Sequence, residues 1–315
     1  MLAGVPGMAE EIQEEETLLK SPTTSPLTYE VKLSPGKGLG VFAVQHLHRG
    51  TKIIIEAPLV SVPVPKMVPG QGFRILDMIS SLETAYEVLS PKQQEEFLGL
   101  HDFRFPSEQD QNRLLTIFRS NAYNTGDSKV GLFPKIARIN HSCSPNSGNW
   151  WSEKTDRRVI YAARDIEKGE EITVSYIPLL KTTKDRQARL EQYGFICDCA
   201  ACQSSESDKR RTKIWDLLET LELKFRSPSK KTSTNDKRAA KAIHLVEMVE
   251  DEGLTDYLAR AFHVAAVLSQ QSGQLNAALE WAIKELEIHQ LAEKASDEAL
   301  KTVALIESLG GRRRP

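Results

Sequence analysis

Three of the four cysteines in this chain lie within six residues of one another, as Cys197, Cys199 and Cys202, and the fourth is Cys143. The sequence shows no apolar signal core at its start and no apolar run near the roughly 20 residues of a membrane helix. We therefore expect a soluble intracellular protein whose thiols stay reduced, which favours metal binding over disulfides. Structural zinc takes four ligands of this kind. Ordinary buried cysteines are the alternative.

The length and net charge of the chain limit the number of structural units and the classes of partner that it can bind. The chain has 315 residues, and single cores tend to split beyond about 250 to 300 residues, so we expect two structural units. With 41 basic and 43 acidic residues the formal net charge is −2. This balance lacks the surplus of positive charge that neutralises phosphates. We expect neither direct nucleic-acid binding nor a membrane-bound protein.

The local patterns alternate between strands and helices. Residues 1–27 are acidic and then rich in Ser, Thr and Pro, which predicts a disordered tail. Residues 29–65 contain short β-rich runs broken by glycines, which indicates strands joined by tight turns. Apolar residues at helical spacing in 72–118 predict a helical insertion. Strand patterns return in 130–177.

Two short stretches of the strand regions resemble each other. Residues 44–53 and 163–172 both read as strand, glycine turn, strand, with Gly50 and Gly169 at matching positions. The stretches are too short for a repeat architecture, and we interpret them as two turns that each need a glycine at positive φ. His46 and His48 fall in the first stretch, in no recognisable ligand spacing, and are predicted to be surface residues.

The C-terminal third of the chain is helical in pattern. Residues 258–268 and 275–291 form two amphipathic helices around Ser272 and Gly273, a spacing similar to one tetratricopeptide helix pair. A single pair cannot bury its own apolar face, so it must pack on other elements. Basic runs at 209–211 and 312–314 match nuclear targeting signals, although solvated charge runs are the favoured interpretation. We expect a nuclear or cytoplasmic location, or both.

Three motifs in order along the chain carry a resemblance to a known family. They are Gly38-Leu39-Gly40, Asn140-His141-Ser142-Cys143-Ser144-Pro145-Asn146 and Gly169-Glu170-Glu171-Ile172-Thr173-Val174-Ser175-Tyr176. Together they resemble the SET-domain lysine methyltransferases. The segment 193–202 resembles the post-SET segment of the SET-and-MYND subfamily and its fungal relatives. Residues 65–119 contain no cysteine and one histidine, His101, so the MYND zinc module of that subfamily is absent.

The resemblance implies an α+β fold. It consists of a β-rich SET domain at 28–178 with its helical insertion at about 70–118, a zinc-bound post-SET segment at 179–203, and a C-terminal α-helical, tetratricopeptide-like domain at 204–315. A monomer is expected.

The family's methyl donor is S-adenosylmethionine. The resemblance places its binding on nine positions: Lys37, Gly38, Leu39, Gly40, Asn121, Asn140, His141, Tyr176 and Phe195. Glycine permits close backbone approach to the methionine end, and Phe195 offers a ring on which adenine can stack. For Asn121, a turn asparagine is an equally good interpretation.

The resemblance also supplies the zinc ligands. Cys197, Cys199 and Cys202 are too closely spaced for a complete site, and the family brings the fourth ligand, Cys143, from the distant Asn-His motif. Four thiolates leave no open position, so one zinc ion would organise the site rather than catalyse. A nucleophilic pair of Cys143 and His141 is another possibility, which we disfavour because nucleophile and base normally come from distant segments.

Tyr176 is the expected catalytic residue, and Tyr176 and Tyr193 would line the substrate lysine channel. The activity implied is direct in-line methyl transfer to a deprotonated lysine of a histone or non-histone protein. Whether the tyrosine or water takes the proton stays open. In isolation Tyr176 would be interpreted as a surface aromatic residue at a strand end. A catalytically silent SET scaffold that binds a protein partner through its C-terminal helices is the alternative function.

Overall fold

The computed structural model describes residues 28–65, 75–126, 128–225 and 232–310, together with Gln13 and Thr17. The predicted tail at 1–27, those two residues apart, and the basic run at 312–314 lie outside this part. Among the described residues, no helix combines the length and apolarity that crossing a membrane requires.

The described residues form ten strands and nine α-helices. The strands are β1 (Tyr29–Ser34), β2 (Gly38–Ala43), β3 (Lys52–Glu56), β4 (Val60–Pro63), β5 (Ala122–Asn124), β6 (Lys129–Leu132), β7 (Asn140–His141), β8 (Ser147–Ser152), β9 (Arg157–Ala162) and β10 (Glu171–Val174). The helices are α1 (Ile79–Glu87), α2 (Pro91–Leu98), α3 (Arg113–Asn121), α4 (Thr183–Leu190), α5 (Ser205–Glu222), α6 (Thr232–Asp251), α7 (Leu258–Gln271), α8 (Leu275–Ala292) and α9 (Asp297–Ser308).

The strands form three small sheets, ordered β1-β2-β10-β7, β3-β9-β8 and β4-β6-β5. In the first sheet β7 pairs in parallel with β10, in the register Thr173 to Asn140 and Val174 to His141. The first two sheets share one apolar core, in which Val174 and Ile160 are fully buried. The parallel pair matters for function because it brings the Asn-His motif beside the strand that leads to Tyr176.

The two similar turns predicted from the sequence face each other. Leu47 and Ile166 exchange backbone hydrogen bonds of 2.9 Å in each direction as an isolated antiparallel bridge. Gly50 and Gly169 have φ angles of 89° and 85°, which confirms the predicted positive φ at both. The two turns are therefore related by an approximate local two-fold axis.

The helical insertion contains α1, α2 and α3, between β4 and β5. Ser90 caps α2 in a capping box with Gln93, and Pro91 occupies the first helical position, all of which favour a helix start here. Phe97 and Phe118 are buried in a core that the insertion shares with the third sheet. Helix α3 continues to Asn121, past the expected boundary at about 118, and the polar side chains of Ser120 and Asn121 are buried there.

The predicted C-terminal helix pair is confirmed as α7 and α8, which pack on each other and on α6 and α9. The largest core of this region is shared with the segments that carry the cysteines, since Cys143, Leu190, Ile214 and Leu245 belong to one buried cluster. A second, smaller cluster, which includes Ala266, Ala278 and Ala282, is formed by these helices alone.

The interpretation of the basic run at 209–211 as solvated charge is wrong for Arg211. This side chain has no exposed area and donates from Nε to Glu252 Oε1 at 2.8 Å. Arg210, whose side chain is half exposed, also forms an ion pair with Glu252. Arg211 is buried because α5 packs against the end of α6, where Glu252 lies.

Candidate active site

One cavity of about 560 Å³ lies where the predicted motifs meet. Among its lining residues are Lys37, Gly38, Leu39, Asn121, Asn140, His141, Tyr176, Tyr193 and Phe195. Its size falls in the range of small-molecule sites. The structure therefore brings together all of the predicted cofactor and channel positions except Gly40.

Gly40 lies behind the cavity wall. A Cβ atom at this position would stand 2.5 Å from Glu171 Oε1 and 3.0 Å from Asn140 Nδ2, distances at which one partner must move. Those two atoms form a hydrogen bond of 2.7 Å, and Asn140 Nδ2 also donates to Leu39 O at 3.1 Å. The glycine therefore permits a contact that holds Asn140 beside the Gly38 turn, rather than a contact with a ligand.

His141 is fixed through both ring nitrogens. Nδ1 accepts a hydrogen bond from the backbone N–H of Tyr176 at 3.1 Å, and Nε2 lies 3.3 Å from Cys143 Sγ. Burial lowers the pKa of His141 to about 4. The ring is therefore neutral at pH 7, as an acceptor at Nδ1 requires.

Tyr176 is held with its hydroxyl directed at the backbone. The hydroxyl donates to Ile139 O at 2.5 Å, and the ring centroid lies 5.0 Å from that of Tyr193 and 5.4 Å from that of His141. Burial raises the pKa of Tyr176 well above its ordinary value of 10. The phenol therefore stays protonated at neutral pH and cannot act as a base there. The alternative interpretation of Tyr176 as a surface aromatic residue at a strand end is therefore wrong, because its hydroxyl is hydrogen bonded to the backbone inside the cavity wall.

Residues 193–195 are held over the cavity by the helical insertion. The backbone carbonyl of Tyr193 lies 3.1 Å from His101 Nε2. Gly194 has a φ angle of 80°, and a Cβ atom there would stand 2.2 Å from the ring of Phe103. The Phe195 ring lies 6.2 Å from that of His141. His101 and Phe103 were not predicted as site residues, since no local pattern links them to position 194.

Asn121 is the last residue of α3 and is buried, so its interpretation as a turn residue is wrong. Its amide Nδ2 donates to His101 O and to Ile117 O, both at 2.7 Å. With both amide hydrogens used, Oδ1 is the atom left for a ligand in the cavity. Arg138, which was not predicted as a site residue, also lines the cavity and donates to Gly99 O at 2.9 Å.

The four cysteines converge although Cys143 lies far from the others in sequence. Their sulfur atoms all lie within 4.8 Å of one another, and those of Cys143 and Cys202 are 3.6 Å apart. A tetrahedral zinc site with bonds of about 2.3 Å places its sulfurs about 3.8 Å apart, so the cluster fits the ion. All four thiols are free of disulfides. The fit favours the metal over ordinary buried cysteines.

The thiols strongly perturb one another. A hydrogen bond with Cys197 raises the pKa of Cys143, whereas a hydrogen bond from Cys143 lowers the pKa of Cys199. Cys143 is fully buried and does not line the cavity. This placement argues against Cys143 as a nucleophile.

Two buried arginines that were not predicted as site residues contact the segments that carry the cysteines. Arg186 Nη2 lies 3.6 Å from Cys202 Sγ, and Arg211 Nη2 donates to Ser144 Oγ at 3.3 Å. Neither side chain has exposed area. The sequence contained a sign that Arg186 is buried. Arg186 and Leu190 are four residues apart on α4, so they lie on the same buried face of the helix.

Comparisons with known proteins agree with this geometry. The SET domain family model matches residues 38–177. The histone-lysine N-methyltransferase set5 of Schizosaccharomyces pombe is 32% identical over 227 residues, which cover 71% of this chain and 66% of that protein. The histone-lysine N-methyltransferase SMYD3 of Homo sapiens is 42% identical over 80 residues, covering 25% of this chain and 18% of that protein.

The N-lysine methyltransferase SMYD2 of Gallus gallus is 35% identical over 135 residues, which cover 39% of this chain and 30% of that protein. The chain thus spans just under two thirds of the fission-yeast protein's length and less than one third of the length of either SMYD protein. From the matched domain and these relatives, the chain contains a SET domain, at residues 38–177, that is similar to fungal Set5 and the SMYD proteins.

Proposed function

We propose that this protein is an S-adenosylmethionine-dependent protein-lysine N-methyltransferase that acts on a histone or non-histone protein. One observation carries the proposal. A single cavity is lined by the Gly38 turn, by Asn140 and His141, and by the rings of Tyr176 and Phe195, beside a cluster of four cysteines. The relatives named as lysine methyltransferases support the same reaction class.

The cavity offers a different partner for each part of the methyl donor. Lys37 and Arg138 supply positive charge for its carboxylate, and the free Oδ1 of Asn121 can accept from its ammonium group. The backbone at Gly38 and Leu39 allows close approach to the methionine end. Asn140 and His141 would bracket the adenine and methionine portions, and the ring of Phe195 can stack on the adenine.

The substrate lysine must lose its proton before it can react. A free lysine has a pKa near 10.4, so the neutral amine at pH 7 lies about 4 to 5 kcal/mol above the ammonium form. The rings of Tyr176 and Tyr193, 5.0 Å apart, provide apolar walls that disfavour the charged form. Because Tyr176 itself stays protonated, it does not take up this proton.

When bound, S-adenosylmethionine supplies a methyl group on a positively charged sulfur, which a neutral amine can take by direct in-line displacement. The protein's contribution is orientation. The hydrogen bond to Ile139 O fixes the Tyr176 phenol, and the His141 ring fixes the Tyr176 backbone. A fixed phenol oxygen can align the amine and stabilise the redistribution of charge without taking up a proton.

The four cysteines would hold one structural zinc ion. This ion would tie residues 197–202 to the Cys143 segment and so keep Tyr193 and Phe195 over the cavity. With four thiolate ligands it has no open position and takes no part in the chemistry.

A methyl-transfer assay tests the activity. The wild type, incubated with tritiated S-adenosylmethionine and a proteome extract, should label protein lysines. Tyr176→Phe should lose most of this labelling. The matched control is Tyr86→Phe, which removes a phenol from the insertion core, away from the cavity, and should label normally. Equal labelling by wild type and Tyr176→Phe would remove Tyr176 from its role, and no labelling by any form would favour the silent scaffold.

Metal content tests the zinc site. Elemental analysis should find one zinc per chain, and Cys199→Ser should bind both zinc and the methyl donor more weakly. Normal donor affinity in a zinc-poor Cys199→Ser protein would contradict the coupling between the cysteine cluster and the cavity.

We also propose the domain limits 28–178, 179–203 and 204–315, a monomeric state, and a nuclear or cytoplasmic location. Light scattering coupled to gel filtration tests the monomer. Limited proteolysis tests the limits. A stable fragment that starts near residue 204 and retains its helical circular dichroism would support an independent C-terminal domain.

A further inference from the structure

Four potential metal ligands lie on one outer face of the two similar turns. Leu47 and Ile166 form the antiparallel bridge between the turns and both point inward, with exposures of 1% and 0%. Side chains alternate between the two faces of extended backbone. The residues that flank these two therefore point outward: His46 and His48 on one turn, Asp165 and Glu167 on the other.

The approximate two-fold axis places the two histidines opposite the two carboxylates. His46 Nδ1 lies 3.3 Å from Glu167 Oε2, and His46 Nε2 lies 3.7 Å from Asp165 Oδ2. The rings of His46 and His48 are 4.6 Å apart in an edge-to-face arrangement. One ligand atom from each of His46, His48 and Asp165 fits within a distance of 4.8 Å.

Hydrogen bonds hold the backbone of this site in place. Hydrogen bonds of 2.9 Å in both directions fix Leu47 against Ile166. Asp165 Oδ1 accepts from the backbone N–H of Arg49 at 2.8 Å, which leaves Oδ2 directed at His46. Binding would therefore require only that the exposed side chains rotate until their ligand atoms lie about 2.0 to 2.2 Å from a shared ion.

We propose that His46, His48 and Asp165 form a surface site for one divalent transition-metal ion, of the class of Zn²⁺, Ni²⁺ or Co²⁺, separate from the cysteine cluster. Imidazole suits these ions, whereas Mg²⁺ and Ca²⁺ prefer oxygen ligands. Glu167 lies at the other ring nitrogen of His46, 3.3 Å from Nδ1, and is not part of the ligand set. A bound ion links the β2–β3 connection to the β9–β10 connection, so it stabilises the SET core rather than the helices.

Calorimetric titration of the zinc-loaded, tag-free protein with NiCl₂ tests the site. The wild type should bind one equivalent of nickel. His46→Ala and Asp165→Asn should each weaken this binding by at least about tenfold, which is the lower limit even for residues that only support a ligand. The matched control is His244→Ala, an exposed histidine beside Glu247, which should bind nickel like the wild type.

Two further measurements distinguish nickel at this site from nickel at the cysteine cluster. Cys199→Ser should keep the same nickel binding, without thiolate-to-nickel absorption, if the cysteines take no part. Nickel should raise the melting temperature of the wild type but not that of His46→Ala/His48→Ala. Nickel binding that is absent in the wild type, unchanged in His46→Ala, or lost in Cys199→Ser would overturn the proposal and leave His46 as an ion-pair partner of the two carboxylates.

Discussion

Arg186 Nη2 lies 3.6 Å from Cys202 Sγ, with the arginine on α4 and the cysteine in the following loop. The same nitrogen also donates to Ala201 O at 3.3 Å and to Thr183 Oγ1 at 2.9 Å. The guanidinium group is fully buried. A zinc ion with four thiolates carries a net charge of −2, so the buried positive charge of Arg186 compensates part of it.

Loss of this charge should weaken zinc binding. For Arg186→Met we expect zinc affinity to fall by about 10- to 100-fold, as for other residues that hydrogen bond to metal ligands. Arg186→Lys retains the positive charge but lacks the planar guanidinium group, and its zinc affinity should fall less than that of Arg186→Met. Competition with a chelator of known affinity measures the change. Wild-type affinity in Arg186→Met would show that the contact is incidental.

A second buried arginine connects the cysteine segment to the C-terminal helices. Arg211 donates to Glu252 Oε1 at 2.8 Å and to Ser144 Oγ at 3.3 Å. Arg211→Met leaves Glu252 buried with fewer partners, and we expect the free energy of unfolding to fall by about 3 to 5 kcal/mol. The control Arg210→Met removes a half-exposed partner of the same carboxylate and should cost about 1 kcal/mol or less. Urea unfolding measures both, and equal losses would contradict the burial argument.

The helical region should show a pH-dependent stability. A hydrogen bond with Glu285 raises the pKa of His263 above its ordinary 6.5. Burial alone would raise the pKa of Glu285, but hydrogen bonds from His263, His289 and Thr302 outweigh it and lower the value to about 2. The contribution of His263 to the free energy of unfolding is complete below pH 6.5, and it is lost as the pH rises through the pKa of His263 in the folded protein. The carboxylate contribution is complete above pH 4.5 and is lost as pH falls towards 2.

The ion pair of His263 and Glu285 should therefore stabilise the folded protein most between pH 4.5 and 6.5. His263→Gln should lower the melting temperature more at pH 5.5 than at pH 8.5, whereas His244→Gln, at an exposed position, should change it little at either pH. Thermal unfolding followed by circular dichroism measures this. The same loss for His263→Gln at both pH values would show that the histidine stabilises by packing and not by charge.

Gly194 offers a test of how the insertion positions the aromatic residues. Gly194→Ala should be destabilised by about 1 to 2 kcal/mol from its positive φ, and by about 1 to 3 kcal/mol more from the clash with Phe103. Gly253→Ala is the control, since Gly253 has a φ of 64° but nothing within 4 Å of the added Cβ. Urea unfolding should give a larger loss at 194. Equal losses would mean that Phe103 moves aside freely.

Local patterns predicted most of the elements. Short runs rich in β-branched and apolar residues at 53–55 and 158–163 form β3 and β9, and the helical spacing around Ser272 and Gly273 corresponds to α7 and α8. Such patterns can be recognised in the sequence because the residues that define a strand or a helix lie only a few positions apart. The end of the insertion at Asn121 was missed because its amide is satisfied by His101 O, 20 residues away.

Motif order predicted the members of the candidate site but not their arrangement. The sequence indicated that Asn140, His141, Tyr176 and Phe195 belong together through the resemblance to SET domains. Only the folded chain revealed that Gly40 supports Asn140 from behind the cavity and that His101 holds the Tyr193 carbonyl. Such contacts depend on distances between segments, which no local pattern contains.

The sequence by itself determined the strands, the helix pair, the glycine turns and three closely spaced thiols, because each depends on residues a few positions apart. The tertiary structure decided which charges are buried, where the fourth sulfur lies and which surface side chains meet. Arg186, Arg211 and the His46 to Asp165 contact were therefore not predicted. Their partners are brought close by packing of whole sheets and helices, whose free energy is spread over the entire core.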